Sequence, residues 1–407
     1  MAKPGKNVRR ATVSALRAWA KGHVYADSLI ERHAERNHLS SQDRALMKAI
    51  LMGVLRNRSL LDYWIAIFRK GKLDPEVRDV LRVGMCQLLI LRIPDHAAIY
   101  ETVECARKPV QGLINAVLRK AAHSRMRMLR EMPEVELATQ YSHPHWLWKR
   151  WKSLFGKSNA VALMDWNNVP AESHYRPNLL NPPPADAPEP TNEHEAIESG
   201  HYYITDPSTS HAPELLAPQP GETVLDACAA PGGKAVQMAG LMKNEGRLVC
   251  TDSNEKRLPR LQENLKRCGV QNAEVAQHDW TQPAPPEWHG LFDAILLDVP
   301  CSNTGVLRRR VDVRWRLQKK DIDDLKVIQK QILEAALPCL KPGGRIVYST
   351  CSIDPEENIE LVTKFAKEHE QVTLGESRQL LPFKDDCDGA FAALLTITGA
   401  IPIASLP

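Results

Sequence analysis

The sequence predicts an all-α helical bundle over residues 1–140, followed by an α/β domain with a mainly parallel sheet over 206–407. Three observations carry this: helical apolar periodicity in the first part, strand–helix alternation in the last, and a Trp- and Pro-rich stretch at 141–205 between them. At roughly 100–200 residues per domain, 407 residues suit two or three domains, each able to bury its own core. The composition, 43% hydrophobic and 25% charged, excludes disordered, collagenous and disulfide-scaffold classes.

In the first module Val77, Val80, Leu81, Gly84, Met85, Leu88 and Leu89 recur at i, i+3, i+4 spacing, which sets them on one helix face. Asp74-Pro75 is a helix start, because Asp caps free amides and proline suits the first turn. Similar periods run through Leu46–Leu55 and Leu113–Leu118. The connecting segment holds Trp146, Trp148, Trp151 and Trp166, then a proline run over Pro182–Pro190 that can continue neither helix nor central strand. The strand candidates that follow are Thr223–Asp226, Arg247–Asp252, Glu274–His278, Phe292–Asp298 and Arg345–Thr350. Helices are expected at Lys234–Met242, Arg257–Arg267 and Asp321–Leu340. Such alternation favours a parallel sheet whose ligand site lies at the carboxyl ends of the strands.

Charge is uneven along the chain. Residues 1–140 hold 25 Lys/Arg and 14 Asp/Glu, a net of +11, against 28 and 35, a net of −7, in the remainder. The nine cysteines are odd in number, form no CxxC pair and accompany no histidine cluster. A disulfide framework and a structural metal site are therefore disfavoured, and a reducing cytoplasmic setting is expected. The basic first thirty residues lack a signal-peptide centre. The uncharged tail from Gly389 contains Gly399, Pro402 and Pro407 and makes a poor membrane span.

The chemistry concentrates at strand ends. The first strand runs into Cys228-Ala229-Ala230-Pro231-Gly232-Gly233-Lys234, whose small residues and glycines let backbone approach a ligand; it lacks the first glycine and the hydroxyl of a phosphate loop. Asp252, 26 residues after Asp226, ends the second strand where ribose hydroxyls are held, although Asp252-Ser253-Asn254 equally suits a helix cap. Asp279 follows the third strand, placed for an adenine amino group. Asp298-Val299-Pro300-Cys301 and Thr350-Cys351 put two thiols just past strand ends, an unusual place for purely structural cysteines. A free thiol, with a pKa near ~8.5, needs local activation to act as a nucleophile.

The segments LDACAAPGGK, HDW, LLDVPCSNTGVLRR and YSTCSIDPEEN, in this order, resemble the motifs of the Nop2/Sun family of RNA cytosine-5 methyltransferases. The first module resembles a NusB-like RNA-binding domain through GVLRNRSLLD, LRVGMCQLLILRIPDHAAIYETV and LINAVLRK, and the combination resembles the bacterial Sun/Fmu branch, which acts on small-subunit (16S) ribosomal RNA. The resemblance implies a NusB-like bundle followed by a Rossmann-like methyltransferase domain that uses S-adenosylmethionine. It implies that Cys228 to Lys234 wrap this cofactor, with Asp252, Asp279 and Asp298 completing the site. It further implies that Cys351 is the nucleophile on carbon 6 of cytosine, that Cys301 assists product release, and that Asp298, in protonated form, contacts the base. No metal and no membrane partner is implied, and a monomer is expected.

Arg308, Arg309, Arg310 and Arg314, interleaved with Trp315, are candidates for RNA phosphates. In the basic module Arg9-Arg10, Arg56, Arg58, Arg69-Lys70, Arg125, Arg127 and Arg130 are further candidates. The sequence departs from the family pattern at Val299 and Asn303, where smaller residues are usual, at Arg310-Val311, at Asp388-Gly389-Ala390-Phe391, and in its short stretch between Asn178 and Tyr202. Other readings remain open at this stage: a non-catalytic RNA-binding assembly or antitermination factor, a cytosine-5 enzyme acting on tRNA, and an amino-group methyltransferase suggested by Asn181-Pro182-Pro183-Pro184.

Overall fold

Asp74 and Pro75 do start a helix. In the computed structural model, which describes residues 8–22 and 24–398, Asp74 Oδ1 accepts from the Glu76 amide at 2.8 Å and the helix runs Pro75–Met85. The end of the uncharged tail, 399–407, lies outside the described residues. The chain divides into two units: one extends to Pro170 and takes in Leu307–Arg316, and the other comprises Ala171–Val306 and the chain from Leu317.

The first unit is helical throughout. Val77, Val80, Leu81 and Met85 are buried with Leu51, Leu55, Trp64, Ile114 and Leu118 in one core. Gly84 allows the helix Pro75–Met85 to lie against Lys108–Glu131, since a Cβ there would stand 2.6 Å from Leu118 Cδ1. Truncating a fully buried leucine such as Leu118 in such a core costs about 2–5 kcal/mol.

The unit also reaches beyond the expected boundary at 140. His145–Asn168 is a helix, kinked at Gly156 (φ 81°), with Leu147, Trp151, Leu163 and Met164 buried. More unexpectedly, Leu307–Arg316 is held inside it: the Asp312 carboxylate accepts from the Ala26 amide at 2.9 Å, and Trp315 Nε1 donates to Leu55 O at 2.7 Å.

The second unit opens with an antiparallel pair, His174–Pro177 with Tyr202–Thr205, and the intervening prolines adopt neither helix nor strand. Its main sheet has seven strands: β1 Thr223–Asp226, β2 Arg247–Asp252, β3 Ala273–Gln277, β4 Phe292–Asp298, β5 Leu340–Thr350, β6 Val372–Leu380 and β7 Ala390–Ile397, in the order β3-β2-β1-β4-β5-β7-β6. The first five are parallel to one another, and β7 is antiparallel to both β5 and β6.

Period-two alternation gives each face its own core. Leu225, Ile295, Leu297, Ile346 and Tyr348 enter one, and Val224, Ala294, Leu296 and Val347 the other. Strand order reverses between β1 and β4, so their carboxyl ends, at Asp226 and Asp298, flank the crevice where such sheets bind ligands. Among the described residues no helix is long and apolar enough to cross a membrane, and no group of three His, Cys, Asp or Glu is placed to hold a metal.

Candidate active site

The turn after β1 is fastened on every side. Ala227 and Ala229 amides donate to Leu296 O (3.0 Å) and Thr251 O (2.8 Å), in the two neighbouring strands. Arg257 Nη2 donates to Ala230 O (2.7 Å), Asn264 Nδ2 to Pro231 O (2.8 Å) and Arg176 Nη2 to Gly233 O (2.6 Å). Gly232 has φ 109°, and a Cβ on it would meet Leu261 Cδ1 at 2.9 Å, so the turn needs glycine there.

Over this turn opens a cavity of about 690 Å³, walled in part by Asp226, Cys228, Ala229, Ala230, Pro231, Gly233, Lys234 and Asp298. That volume suits a cofactor-sized ligand. Asp252 and Asp279 are not part of this wall among the described residues. Asp252 is buried, pairs with Arg257 at 3.2 Å and accepts from the Asn254 amide, while the cap of the short helix Glu255–Arg257 is Asn254, whose side chain accepts from the Lys256 amide. Asp279 is exposed, accepts from Thr281 N and Oγ1, and is held below its ordinary pKa by those bonds.

The charges in the cavity are arranged around Lys234. Its Nζ donates to Asp298 Oδ2 at 2.7 Å. Burial opposes its charge, yet Asp298 and Asp226 keep its pKa above the ordinary lysine value. Asp298 thus accepts from the Lys234 ammonium at the carboxyl end of β4.

The unexpected group is Asp226. It is 1% exposed, neither oxygen accepts a well-formed hydrogen bond, and the Cys228 amide offers only a weak one. Desolvation first, then Asp298, push its carboxyl up to about 7 despite the attraction of Lys234. An orphaned carboxylate and a paired one on a glycine-lined wall suit a ligand carrying an ammonium group and positive charge. S-adenosylmethionine is such a ligand, and the residues present fit it.

Because its folded pKa is raised, Asp226 stabilises the apoprotein relative to an ionised form only at low pH. That contribution is complete below about pH 4 and lost as pH rises through 7, an effect of about 4 kcal/mol. Asp226→Asn removes the slope but keeps an unsatisfied amide costing ~1–3 kcal/mol. We therefore expect the variant to melt above wild type at pH 8 by about 1–3 kcal/mol equivalent, and not above it at pH 4. Wild type melting higher at pH 8 would refute the assignment.

The two thiols come together. Cys301 Sγ and Cys351 Sγ lie 3.2 Å apart at the carboxyl ends of β4 and β5. Cys351 also donates to Asn303 Oδ1 at 3.3 Å, and Asn303 Nδ2 donates to Cys301 O at 2.7 Å with its backbone at φ 60°. The hydrogen bond to Cys351, then burial, then the charges of Cys351 and Glu357, raise the Cys301 pKa well above the usual thiol value. Burial and the carboxylates Asp298, Asp226 and Asp252 push the Cys228 thiol up as well, so it sits in the wall as a neutral group.

Two of the expected phosphate ligands are used elsewhere. Arg314 is fully buried, donating to Asn168 Oδ1 (2.7 Å) and Asn167 O (2.8 Å), and burial lowers its pKa to about 9. Arg308 is 6% exposed and stacks 4.0 Å from the Trp166 ring centroid. Both guanidiniums are internal to the first unit and out of reach of an RNA backbone; Arg309 is half-buried and Arg310 exposed. Arg56 and Arg58 are likewise half-buried, Arg58 stacking on Trp19 and Trp315.

Known proteins place this arrangement. The family model described as 16S rRNA methyltransferase RsmB/F matches residues 213–396, and that of the NusB family matches residues 6–123. Ribosomal RNA small subunit methyltransferase B of Shigella sonnei is 37% identical over 398 residues, covering 88% of this chain and 91% of its own. The chain belongs to the RsmB/F family. A methyltransferase homolog protein from Pyrococcus horikoshii is 27% identical, with a TM-score of 0.54, over 64% of this chain and 97% of its own. The crystal structure of PH0851, 24% identical with a TM-score of 0.75, covers 97% of this chain and 99% of its own and shares the fold.

Within an RsmB/F-family domain, Asp226, Asn303 and Glu357 are the site residues that sequence reasoning missed. The orphaned Asp226 had no signal beyond ending a strand. Asn303 was visible only as a departure from smaller residues, and Glu357 only as part of the quoted PEEN text.

Proposed function

We propose that the protein methylates carbon 5 of a cytosine in small-subunit ribosomal RNA, using S-adenosylmethionine and a covalent adduct on Cys351. The observation that supports this most directly is the pair of thiols 3.2 Å apart, next in chain order to the cavity residue Asp298. Cavity residue Lys234 also feels the charge of Cys351. A binding-only factor has no use for such a pair.

The cofactor would be held by the Cys228–Lys234 turn, with Asp226 and Asp298 facing its positive groups; Asp252 and Asp279, at neighbouring strand ends, are the remaining candidates for its ribose and base. When bound, S-adenosylmethionine supplies an electrophilic methyl group on a sulfonium centre.

The chain's own residues supply the rest. Carbon 5 of cytosine is a poor nucleophile, and addition of the Cys351 thiolate at carbon 6 turns it into an enamine carbon. Cys301 holds its own proton in the free protein, 3.2 Å from Cys351, and the Cys351 proton passes to solvent as its sulfur adds to carbon 6. Once carbon 5 is methylated, its proton must leave before the carbon–sulfur bond can break, and Cys301 is the group placed to take it. Lys234 and Asp298 keep fixed charges beside the base. The base must be unstacked first, at a few kcal/mol in a helix and less in a loop, so loop or single-stranded RNA is the target.

The basic first unit supplies phosphate contacts, Arg310 among them, and that binding should weaken steeply with salt. Thiol chemistry of this kind suits the reducing cytoplasm.

The test is to incubate the protein with labelled S-adenosylmethionine and, separately, small-subunit ribosomal RNA and tRNA, and to map the label. The expected product is 5-methylcytosine in the ribosomal RNA. Label confined to tRNA would overturn the substrate, and label on an exocyclic amino group would overturn the reaction.

A further inference from the structure

The thiols are not the only link between the two cysteine turns. Beneath them Glu357 is fully buried, and its carboxylate accepts from four donors. The Ser302 amide donates to Oε1 at 2.9 Å and the Ser302 hydroxyl to Oε2. The Ser352 hydroxyl donates to Oε2 at 2.6 Å. Gln329 Nε2 donates to Oε1 at 2.9 Å and also reaches Pro300 O at 3.0 Å. Ser302 follows Cys301 and Ser352 follows Cys351, so one carboxylate grips the residue next to each thiol.

A second tie runs parallel to it. Thr304 Oγ1 donates to Asp354 Oδ2 at 2.6 Å, and the Ile353 amide donates to Thr304 Oγ1 at 3.2 Å. The backbones themselves meet where the Gly305 amide donates to Cys351 O at 3.0 Å, an approach that a Cβ on Gly305 would block at 2.8 Å.

Burying a carboxylate is expensive unless donors surround it, and these donors do. None of the chemical steps above uses this group, and stability alone does not explain why its donors come from the two catalytic turns. We propose that Glu357 is a positioning residue for the reaction: by locking the Ser302 turn to the Ser352 turn, it fixes the distance between Cys301 and Cys351 on which product release depends. This rests on the two-thiol reading given under Proposed function. With the lock gone, Cys351 still adds to the base and carbon 5 is still methylated, but Cys301 no longer reaches the adduct.

Glutamine is the probing substitution, because its amide nitrogen cannot accept and would face donors on one side of the lock. The full-length Glu357→Gln variant, with Cys301→Ala and wild type beside it, is incubated with S-adenosylmethionine and labelled small-subunit ribosomal RNA. Covalent protein–RNA adduct is then read on a denaturing gel, with cofactor affinity measured by equilibrium dialysis. The expected result is cofactor affinity within about twofold of wild type, kcat reduced at least ~30-fold with KM for RNA within about threefold, and adduct accumulating as in Cys301→Ala.

Adduct in Cys301→Ala but not in Glu357→Gln overturns the inference alone. Absence of adduct in both overturns the two-thiol reading and the inference with it. Should Glu357→Gln fail to fold, Ser302→Ala, which removes one hydroxyl from the lock, decides: partial adduct accumulation supports the lock, and wild-type turnover without adduct overturns it.

Discussion

Cys351→Ala is expected to abolish methyl transfer, by at least ~10⁴-fold, while leaving the fold and cofactor binding intact. The size follows from removing the nucleophile of a covalent route, since no other group here can convert carbon 5 into an enamine. The selectivity follows from the local contacts. The Cys351 thiol is half-buried and touches Cys301 Sγ and Asn303 Oδ1, so its loss strips one sulfur from a partly solvated edge and costs stability ~1 kcal/mol or less.

Serine in its place should fare little better, because an alcohol gives up its proton far less readily than a thiol. The informative comparison is Cys228→Ala. Cys228 is a third thiol, in the wall of the cavity over the β1 turn, but burial and three carboxylates hold its proton, so its removal should leave the Cys351 nucleophile and carbon-5 methylation in place. Quantifying 5-methylcytosine in digested ribosomal RNA decides between them: Cys351→Ala retaining activity within tenfold of wild type would sink the nucleophile assignment.

What could be read from the sequence is what is local in it. The five parallel strands are short apolar runs that end in a polar residue beside a turn, and all five form. The antiparallel pair β6 and β7 was not visible. Val372–Leu380 carries Glu376, Ser377, Arg378 and Gln379 in a row, and its pairing with β7 shifts register between Leu374 and Ser377, so neither alternation nor hydrophobicity marks it. The helix His145–Asn168 hid behind tryptophans, flanking prolines and the break at Gly156.

The site divides in the same way. Cys228 to Lys234, Asp298, Cys301 and Cys351 lie in contiguous motifs and were named from them. The pairing of Lys234 with Asp298 joins positions 64 apart, and the Glu357 lock joins three separate segments; no single stretch of text records either. The arginines after Cys301 misled for a different reason. Charged side chains are rarely buried, so a basic run reads as a surface. Here backbone carbonyls, an asparagine and a tryptophan take Arg314 and Arg308 inside.

Cys301→Ala should convert the protein from a catalyst into a trap, with most molecules in a denaturation-stable complex with RNA after one turnover and the adduct living at least ~10²-fold longer than in wild type. The argument turns on when Cys301 can give up its proton. In the free protein the hydrogen bond to Cys351 comes first among the causes that raise its pKa, and the charge of Cys351 adds to it. Both vanish once the Cys351 sulfur is bonded to carbon 6, leaving burial and the Glu357 charge. Cys301 is therefore a stronger acid in the adduct than before it, and becomes a usable base at the step that needs one. The sign is testable. Below that lowered pKa each unit of pH raises the thiolate fraction about tenfold, so wild-type adduct should decay faster from pH 6.5 to 8.5, whereas the Cys301→Ala adduct should decay slowly and without that slope. Single-turnover gels at three pH values measure both half-lives; equal decay in the two proteins, or the same pH slope in both, would remove Cys301 from the release step.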